Sequence, residues 1–469
     1  MTEMGRLELL SFALHVALAL TTMVHALLRK EDPRSAWAWI TAGWLFPLFG
    51  ALFYAWFGVN RIHKSARRRL GEAPARESGD EEVPNVPGRK LDVRELVRIG
   101  RSMAGRPLLP GNRVTPLYNG EQAYPDMLTA IASARETIWL ESYIFDDGEV
   151  ATQFVEALAG ARKRGVQVRV LLDGVGELSW RARGSDRLRA RDIPVRTFLP
   201  LRLWPPFLHI NLRNHRKVMT VDGDVAFAGG MNIADVHYVE RGGEAMADLH
   251  YRFEGPIVRQ FEEAFAENWR FASGETLALS KPTPEEGNAW CRVVTDGPND
   301  DIDRLQLLLL GVLANAHERI SIMTPYFVPT AELSGALQAA ALRGIKIELV
   351  LPRRSDQWWV DGATRRWLQM LLGQRVRVYY RPLPRAHSKL ILMDDYYALV
   401  GSANLDSRSL RLNFELMVEV YDRDLVAGQR EHFDEVRDRS QEVTLAALRR
   451  RPLLSRLADS VMWLFSPYL

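Results

Sequence analysis

The 469-residue chain has a single cysteine, Cys291, so no intramolecular disulfide framework can hold it together. It has no C-x-x-C pair and no G-x-x-x-x-G-K-[ST] loop. The first absence argues against a structural zinc site, the second against a reaction driven by a nucleotide. Charge of one sign is also missing: 61 Lys and Arg against 58 Asp and Glu leave a net charge of +3, which gives no electrostatic reason to expect nucleic acid as a partner. Charge of either sign is absent from two stretches near the N-terminus, Leu9 to Leu28 and Ser35 to Asn60.

Each of those stretches is long enough to cross a bilayer core of about 30 Å as a helix. Only Arg29 to Arg34 separates them, so the spacing predicts an antiparallel hairpin over 1–60. A cleaved signal peptide fits poorly, because Glu3 and Glu8 flank Arg6 and a second apolar stretch comes directly after. Pro47 is expected to kink the second helix. The run Arg61, Lys64, Arg67, Arg68 and Arg69 has no acid before Glu72. By the positive-inside rule it places the remaining chain in the cytoplasm and offers contacts to anionic lipid headgroups. Glu72 to Arg89, rich in Pro, Gly, Glu and Ser, completes a basic and flexible linker over 61–92.

The chain as a whole is 47% hydrophobic and 25% charged, the balance of a globular protein. Beyond the linker it repeats. Ala130 to Ile138 resembles Val312 to Ile320, and Arg164 to Leu172 matches Arg343 to Leu351. Each pair reads as a helix end running into a strand, with Gly165 or Gly344 closing the helix. Strand, helix and strand precede a motif, twice over, which predicts two α/β halves, 93–280 and 281–440, related by a pseudo-twofold axis. The tail, 441–469, has an amphipathic helical pattern that suits either the membrane interface or packing on the second half.

The repeated motif is H-x-K-x4-D-x6-G-x-x-N. The first copy supplies His215, Lys217, Asp222 and Asn232; the second supplies His387, Lys389, Asp394 and Asn404. Along a strand, alternate side chains share a face, so each histidine lies beside its lysine. If the halves converge, two ammonium groups and two amides can stabilise a five-coordinate phosphorus without a metal, together with the Ser402 hydroxyl of the second copy. One histidine would attack phosphorus while the other protonates the leaving alkoxide. A nucleophilic imidazole needs a partner on its other nitrogen. The downstream candidates are Asp248 after the first motif and Glu415 after the second. Asp222 and Asp394, part of the catalytic motif by sequence, are expected to tie its turn to the strand. His237, His250, His317 and His432 lack a duplicated context and read as structural or surface residues, as does His209; His15 and His25 read as polar exceptions in helix packing.

These residues resemble the phospholipase D superfamily, whose hallmark is the duplicated H-x-K-x4-D motif. Asn211 to Lys217, Thr324 to Pro329, Gly401 to Ser409 and Asn413-Phe414-Glu415 are similar to bacterial cardiolipin synthases, as are the N-terminal apolar pair and the length. The resemblance implies an α/β fold of two phospholipase D-type halves sharing one site. It implies that two phosphatidylglycerol molecules give cardiolipin and glycerol through a phosphohistidine, with His215 as nucleophile and His387 as acid and base. No cofactor is implied, and neither is a nucleotide. The implied partners are phosphatidylglycerol, other anionic phospholipids and the bilayer of a bacterial cytoplasmic membrane. A homo-oligomer is compatible with the sequence. A hydrolytic phospholipase D with the same site and a non-catalytic lipid-binding scaffold remain as alternatives. Two departures stand out: Gly230 replaces the serine that the second copy has at Ser402, and Arg385-Ala386 precede His387 where this branch suggests an apolar pair. Leu199 to Leu208 is apolar and Pro-rich, and Trp204 and Phe207 within it are expected to guide lipid toward His215. Trp358 and Trp359 are a second candidate for that role.

Overall fold

A computed structural model describes residues 3–30, 33–59, 82–86, 90–178, 184–200, 212–297 and 303–466. The chain forms two compact units, 1–68 and 69–469. Trp204, Phe207 and the basic run after the apolar hairpin lie outside the described residues.

In the first unit, helix Glu3–Arg29 packs on helix Pro33–Leu45. Small residues make the contact, with Ala19, Ala26, Ala36, Gly43 and Gly50 all buried. This is how helices approach closely where no water drives them together. His15 donates from Nε2 to the Trp44 carbonyl at 3.2 Å, and His25 Nδ1 lies 2.7 Å from the Tyr54 hydroxyl, so both histidines hold the two stretches to each other. Leu9, Phe12, Leu27, Trp37 and Phe49 are exposed. Among the described residues one helix, over Glu8–Arg29, is long and apolar enough to cross a membrane. The second stretch is not one continuous span, contrary to expectation. Its helix stops at Leu45 and resumes as Phe49–Phe53, ending in a π turn at Tyr54–Gly58. Pro47 has no N–H to donate and Leu48 takes φ 64°, so the expected kink is a break.

The second unit is built on a 15-stranded sheet. In the first half, Thr137–Ser142, Gln167–Asp173 and Val195–Phe198 run parallel. In the second, Arg319–Met323, Lys346–Pro352 and Arg377–Arg381 do the same. On the inner side of each parallel set lies an antiparallel hairpin, Val218–Val221 with Val225–Gly229 and Leu390–Met393 with Tyr397–Gly401. The halves join where Leu109–Tyr118 and Ala289–Asp296 pair antiparallel. Gly165 and Gly344 both take φ 95° after their helices, as their place before a strand predicts. Helix Lys90–Ala104 precedes the first half but buries Val93, Leu96 and Val97 in the core of the second, among Leu305, Leu308 and Val312.

In the tail, helix Leu453–Leu464 packs on helix Trp358–Leu371. Arg365 donates to Asp459 at 2.8 Å, and Met462 occupies the space left by Gly362, where a Cβ would overlap its sulfur. One face of the helix is therefore held by the second half. Leu453, Leu454, Leu457 and Val461 stay exposed on the outer one.

Candidate active site

Each motif is a strand, a tight turn and a returning strand. Asp222 and Asp394 sit in the turns with φ 56° and 50°. The Asp222 carboxylate accepts from the backbone N–H groups of Arg135, Glu136 and Thr137, each at 2.8 Å. Asp394 accepts from those of His317, Glu318 and Arg319 at 3.1, 2.9 and 3.1 Å. Both aspartates therefore clamp the hairpin turn to the start of the neighbouring strand, and neither lines the cavity that receives the histidines.

The segments leading into the motifs exchange partners between halves. His215 donates its N–H to the Phe414 carbonyl at 2.9 Å, and Phe414 donates to the Arg213 carbonyl at 2.7 Å. On the other side, Arg385–Ala386 pairs with Met246–Ala247, and the His387 N–H reaches the Ala247 carbonyl at 2.8 Å. Arg385 also forms an ion pair with Glu244, which accounts for a charged residue before this histidine. The exchange crosses the acids. His215 Nδ1 lies 3.0 and 3.1 Å from the two oxygens of Glu415, and His387 Nδ1 lies 2.6 Å from Asp248 Oδ2. Sequence order sets Asp248 after the first histidine and Glu415 after the second; in space each acid serves the histidine of the other half.

In both cases Nδ1–H donates to a carboxylate, so the lone pair is on Nε2. Both histidines border one cavity of about 560 Å³, and Asn232 and Asn404 line it as well. Asn232 Oδ1 accepts from the Ile144 N–H at 3.1 Å, which leaves its Nδ2 end to face the opening. Lys217 and Lys389 are buried. Their ammonium groups donate to the carbonyls of His215 and His387 at 2.7 and 2.5 Å, and Lys389 Nζ comes within 3.3 Å of His387 Nε2.

Ser402, expected to contact phosphate, instead donates to Glu415 Oε2 at 2.5 Å and accepts from the Leu416 N–H at 3.0 Å. Its hydroxyl is held by the carboxylate and the backbone and is absent from the cavity wall. The counterpart is Gly230, and the reason is steric. A Cβ at Gly230 would overlap Asp248 Oδ1, because the shorter aspartate lies back on the chain and accepts from the Leu249 N–H at 2.8 Å. The longer Glu415 leaves room for a serine.

Burial pushes the His215 imidazole down to about 4, with Lys217 adding to the fall and Glu415 opposing it. Burial likewise lowers His387 and both lysines. Burial alone would raise the two carboxyls, but His387 and Lys389 outweigh it at Asp248, and His215 and Lys217 outweigh it at Glu415. The resting site therefore pairs neutral imidazoles with ionised carboxylates, beside two ammonium groups stripped of water. Neither lysine lines the cavity, so each would act on an anion there through its charge and not through contact.

Several site residues escape sequence reasoning. His237 is buried, takes the Asn232 N–H on Nε2 at 3.2 Å, and stands 3.9 Å from Asp248. With Asp248 and His387 it brings ligand-type atoms within 4.8 Å of one another, the one such trio among the described residues; both oxygens of Asp248 already accept hydrogen bonds. Tyr143 packs its ring on His215 at 5.2 Å and beneath Lys217 at 5.3 Å. Arg213, Arg408 and Asn413 line the cavity, and Asn413 donates to Glu415 at 3.1 Å. Arg213 and Asn413 stand two residues before His215 and Glu415, where strand alternation puts them on the same face; the others carry no pattern. Of the second lipid-access candidate, Trp359 lines the cavity, and both Trp358 and Trp359 are exposed.

The family of the cardiolipin synthase PLD-like domain matches residues 127–269 and 309–437, and the phospholipase D-nuclease N-terminal family matches 17–58. The chain is 32% identical to a cardiolipin synthase of Geobacillus kaustophilus over 94% of its own length and 90% of that protein. It is 31% identical to cardiolipin synthase A of Pseudomonas syringae over 95% of each. With the major cardiolipin synthase ClsA of Bacillus subtilis it shares 30% identity over 98% of each. The crystal structure of a phosphatidylserine synthase from Haemophilus influenzae superposes with a TM-score of 0.62, covering 80% of this chain and all of that one at 14% identity, which attests the fold. A duplicated domain and relatives matched nearly end to end agree: the chain belongs to the cardiolipin synthase family of phospholipase D-like proteins.

Proposed function

We propose that this protein is a membrane-associated phosphatidyltransferase that converts two phosphatidylglycerol molecules into cardiolipin and glycerol. The observation that carries the reading is the convergence of His215 and His387, each fixed through Nδ1 by a buried acid, on one cavity. His215 Nε2 attacks the phosphorus of the first lipid. The incoming phosphate anion raises the basicity of His387, which takes a proton from solvent on Nε2; as the bond from phosphorus to the glycerol oxygen breaks, His387 gives that proton to the oxygen. A hydroxyl of the second lipid then enters, His387 removes its proton, and the phosphorus–nitrogen bond breaks as cardiolipin forms. Lys217 and Lys389 balance the charge that gathers on the phosphoryl oxygens, and Asn232 and Asn404 donate to them. One phosphodiester is exchanged for another, so the reaction calls for no nucleotide.

The near-symmetry of the site leaves the choice of nucleophile to the family resemblance, which favours His215. The apolar hairpin, the exposed face of helix Leu453–Leu464 and the exposed Trp358 and Trp359 beside the cavity support a site that faces lipid. The basic run from Arg61 to Arg69 supports a cytoplasmic position for the second unit.

The test is the purified protein in phosphatidylglycerol vesicles, with chelator and without nucleotide, followed by mass spectrometry. Equal amounts of cardiolipin and glycerol are expected. Phosphatidic acid as the sole lipid product, or a strict need for a CDP-activated lipid, would overturn the proposal.

A further inference from the structure

The two histidines are matched by symmetry, but the cavity walls around them are not. Counting from the motifs, Ile144 of the first half corresponds to Tyr326 of the second, Ala234 to Asp406, Val236 to Arg408 and Met246 to Asn413. All eight line the cavity. At each of these four pairs the first half presents an apolar side chain and the second a polar one, while His237 and Ser409, which also correspond and line the cavity, are polar in both halves. A duplicated site with a symmetric task would not need this difference.

Two arginines stand on the polar side. Arg408 follows Asn404 by four residues. Arg213 belongs to the first half, but the strand exchange carries it across, where its carbonyl accepts the Phe414 N–H at 2.7 Å. Arg385, its counterpart, is turned to Glu244. Arg213 is 9% exposed, and its Nη1 is buried with no hydrogen-bond partner. The carboxylates of Asp406 and Asp173 act on Arg408 and offset part of its charge. Asp173 accepts from the N–H groups of Val175, Gly176 and Asn214, and Asp406 accepts from that of Ser409 at 2.6 Å. The two guanidinium charges act on each other within the cavity, and this mutual repulsion helps to hold Arg408 below its ordinary range after burial. Such a pair is stabilised by an anion with oxygens to share.

The reaction supplies that anion. The phosphate under attack is served by the two motifs. When cardiolipin forms, a second phosphodiester is present in the same molecule, one glycerol away. We infer that Arg213 and Arg408 form a second phosphate subsite, which holds the phosphodiester of the acceptor lipid while its headgroup hydroxyl attacks the phosphohistidine. The inference rests on the transferase reading above. It gives the enzyme a physical means of preferring a phospholipid acceptor over water or a simple alcohol, neither of which brings an anion to the subsite.

The experiment compares two acceptors for one labelled short-chain phosphatidylglycerol donor: unlabelled phosphatidylglycerol, and 1-butanol, which carries no phosphate. Loss of a charge-assisted contact corresponds to roughly a 10- to 100-fold change. In Arg408→Gln and Arg213→Gln, the KM for the phospholipid acceptor should rise by about that factor relative to the KM for butanol, and product should shift from cardiolipin toward phosphatidylbutanol and phosphatidic acid. Arg408→Lys, which keeps the charge without the planar fork, should recover part of the preference. Arg213 lies next to the His215 strand, so Arg408→Gln serves as the arm with less risk to folding. An unchanged ratio between the two acceptors in Arg408→Gln, with wild type making cardiolipin, would overturn the subsite alone. If wild type makes no cardiolipin, the transferase reading itself fails.

Discussion

The crossed pairing of acids and histidines predicts an outcome that sequence order would reverse. Glu415 is fully buried and accepts from His215, Ser402 and Asn413. Glu415→Gln keeps the shape and removes the charge. A buried hydrogen bond to a charged group contributes about 1.5–3 kcal/mol against about 1 for a neutral one. A unit charge about 3 Å from the imidazole that becomes cationic on phosphorylation adds a Coulomb term of up to ~5 kcal/mol at an effective dielectric of 20. Part of this is offset because the neutral amide costs less to bury, so a loss of about 2–4 kcal/mol, or roughly 30- to 1000-fold in rate, is expected. Asp248→Asn should cost a similar amount through His387. The leaving group separates the two. With a phosphodiester whose alcohol is p-nitrophenol, departure needs little protonation, so the Asp248→Asn defect in formation of the covalent intermediate should shrink by at least tenfold. The Glu415→Gln defect should persist, because the nucleophile is still required. Disappearance of the Glu415→Gln defect on this substrate, with the Asp248→Asn defect intact, would refute the crossed assignment.

Three further outcomes follow from the same geometry. Asp222→Ala should lower the Tm, at a cost of about 2–4 kcal/mol, by freeing three backbone N–H groups; a variant with wild-type Tm and no activity would instead put Asp222 in the chemistry. Gly230→Ser should impair the His387 step, since its Cβ would overlap Asp248 Oδ1, whereas Ser402→Ala should cost roughly tenfold through a Glu415 deprived of one donor; tolerance of serine at 230 in rapid-quench assays would contradict the steric account. Burial pushes His432, away from the cavity, down to about 4. The unfolded chain therefore binds one more proton than the native one between about pH 6.5 and 4, and that contribution to stability is present above 6.5 and is lost as pH falls through 4. His432→Gln should reduce the acid slope of stability by roughly 1 kcal/mol per pH unit in denaturant melts, and an unchanged slope would show the imidazole to be solvated.

Much of the fold is legible in the chain because it is written twice. The helix ends at Gly165 and Gly344, the strands after them and the two motif hairpins all follow from local pattern, and the clamp role of Asp222 and Asp394 follows from their place in a tight turn. Pairing across the halves is another matter. Asp248 follows His215 and Glu415 follows His387, and nothing local reports that residues 213–215 lie along Phe414 while Arg385–Ala386 lies along Met246. That exchange is a long-range choice of strand partner. Ser402 likewise reads as a donor to phosphate until the length of Glu415 is known, and the buried place of His237 depends on the loop that follows Asn232. The break at Pro47 needed the backbone at Leu48, since a proline alone is compatible with a bent but continuous helix. Distinguishing the polar from the apolar wall required the cavity itself.

The central claim, phosphatidyl transfer through a histidine of the paired motif, is tested most directly by trapping the intermediate. Wild-type protein is mixed with phosphatidylglycerol vesicles, quenched within milliseconds at alkaline pH, digested and examined by mass spectrometry. A phosphatidyl group is expected on His215, absent in His215→Ala, that passes into cardiolipin when fresh phosphatidylglycerol is added before the quench. An adduct that passes only into phosphatidic acid, or turnover to cardiolipin with no histidine adduct at any time, would contradict the claim.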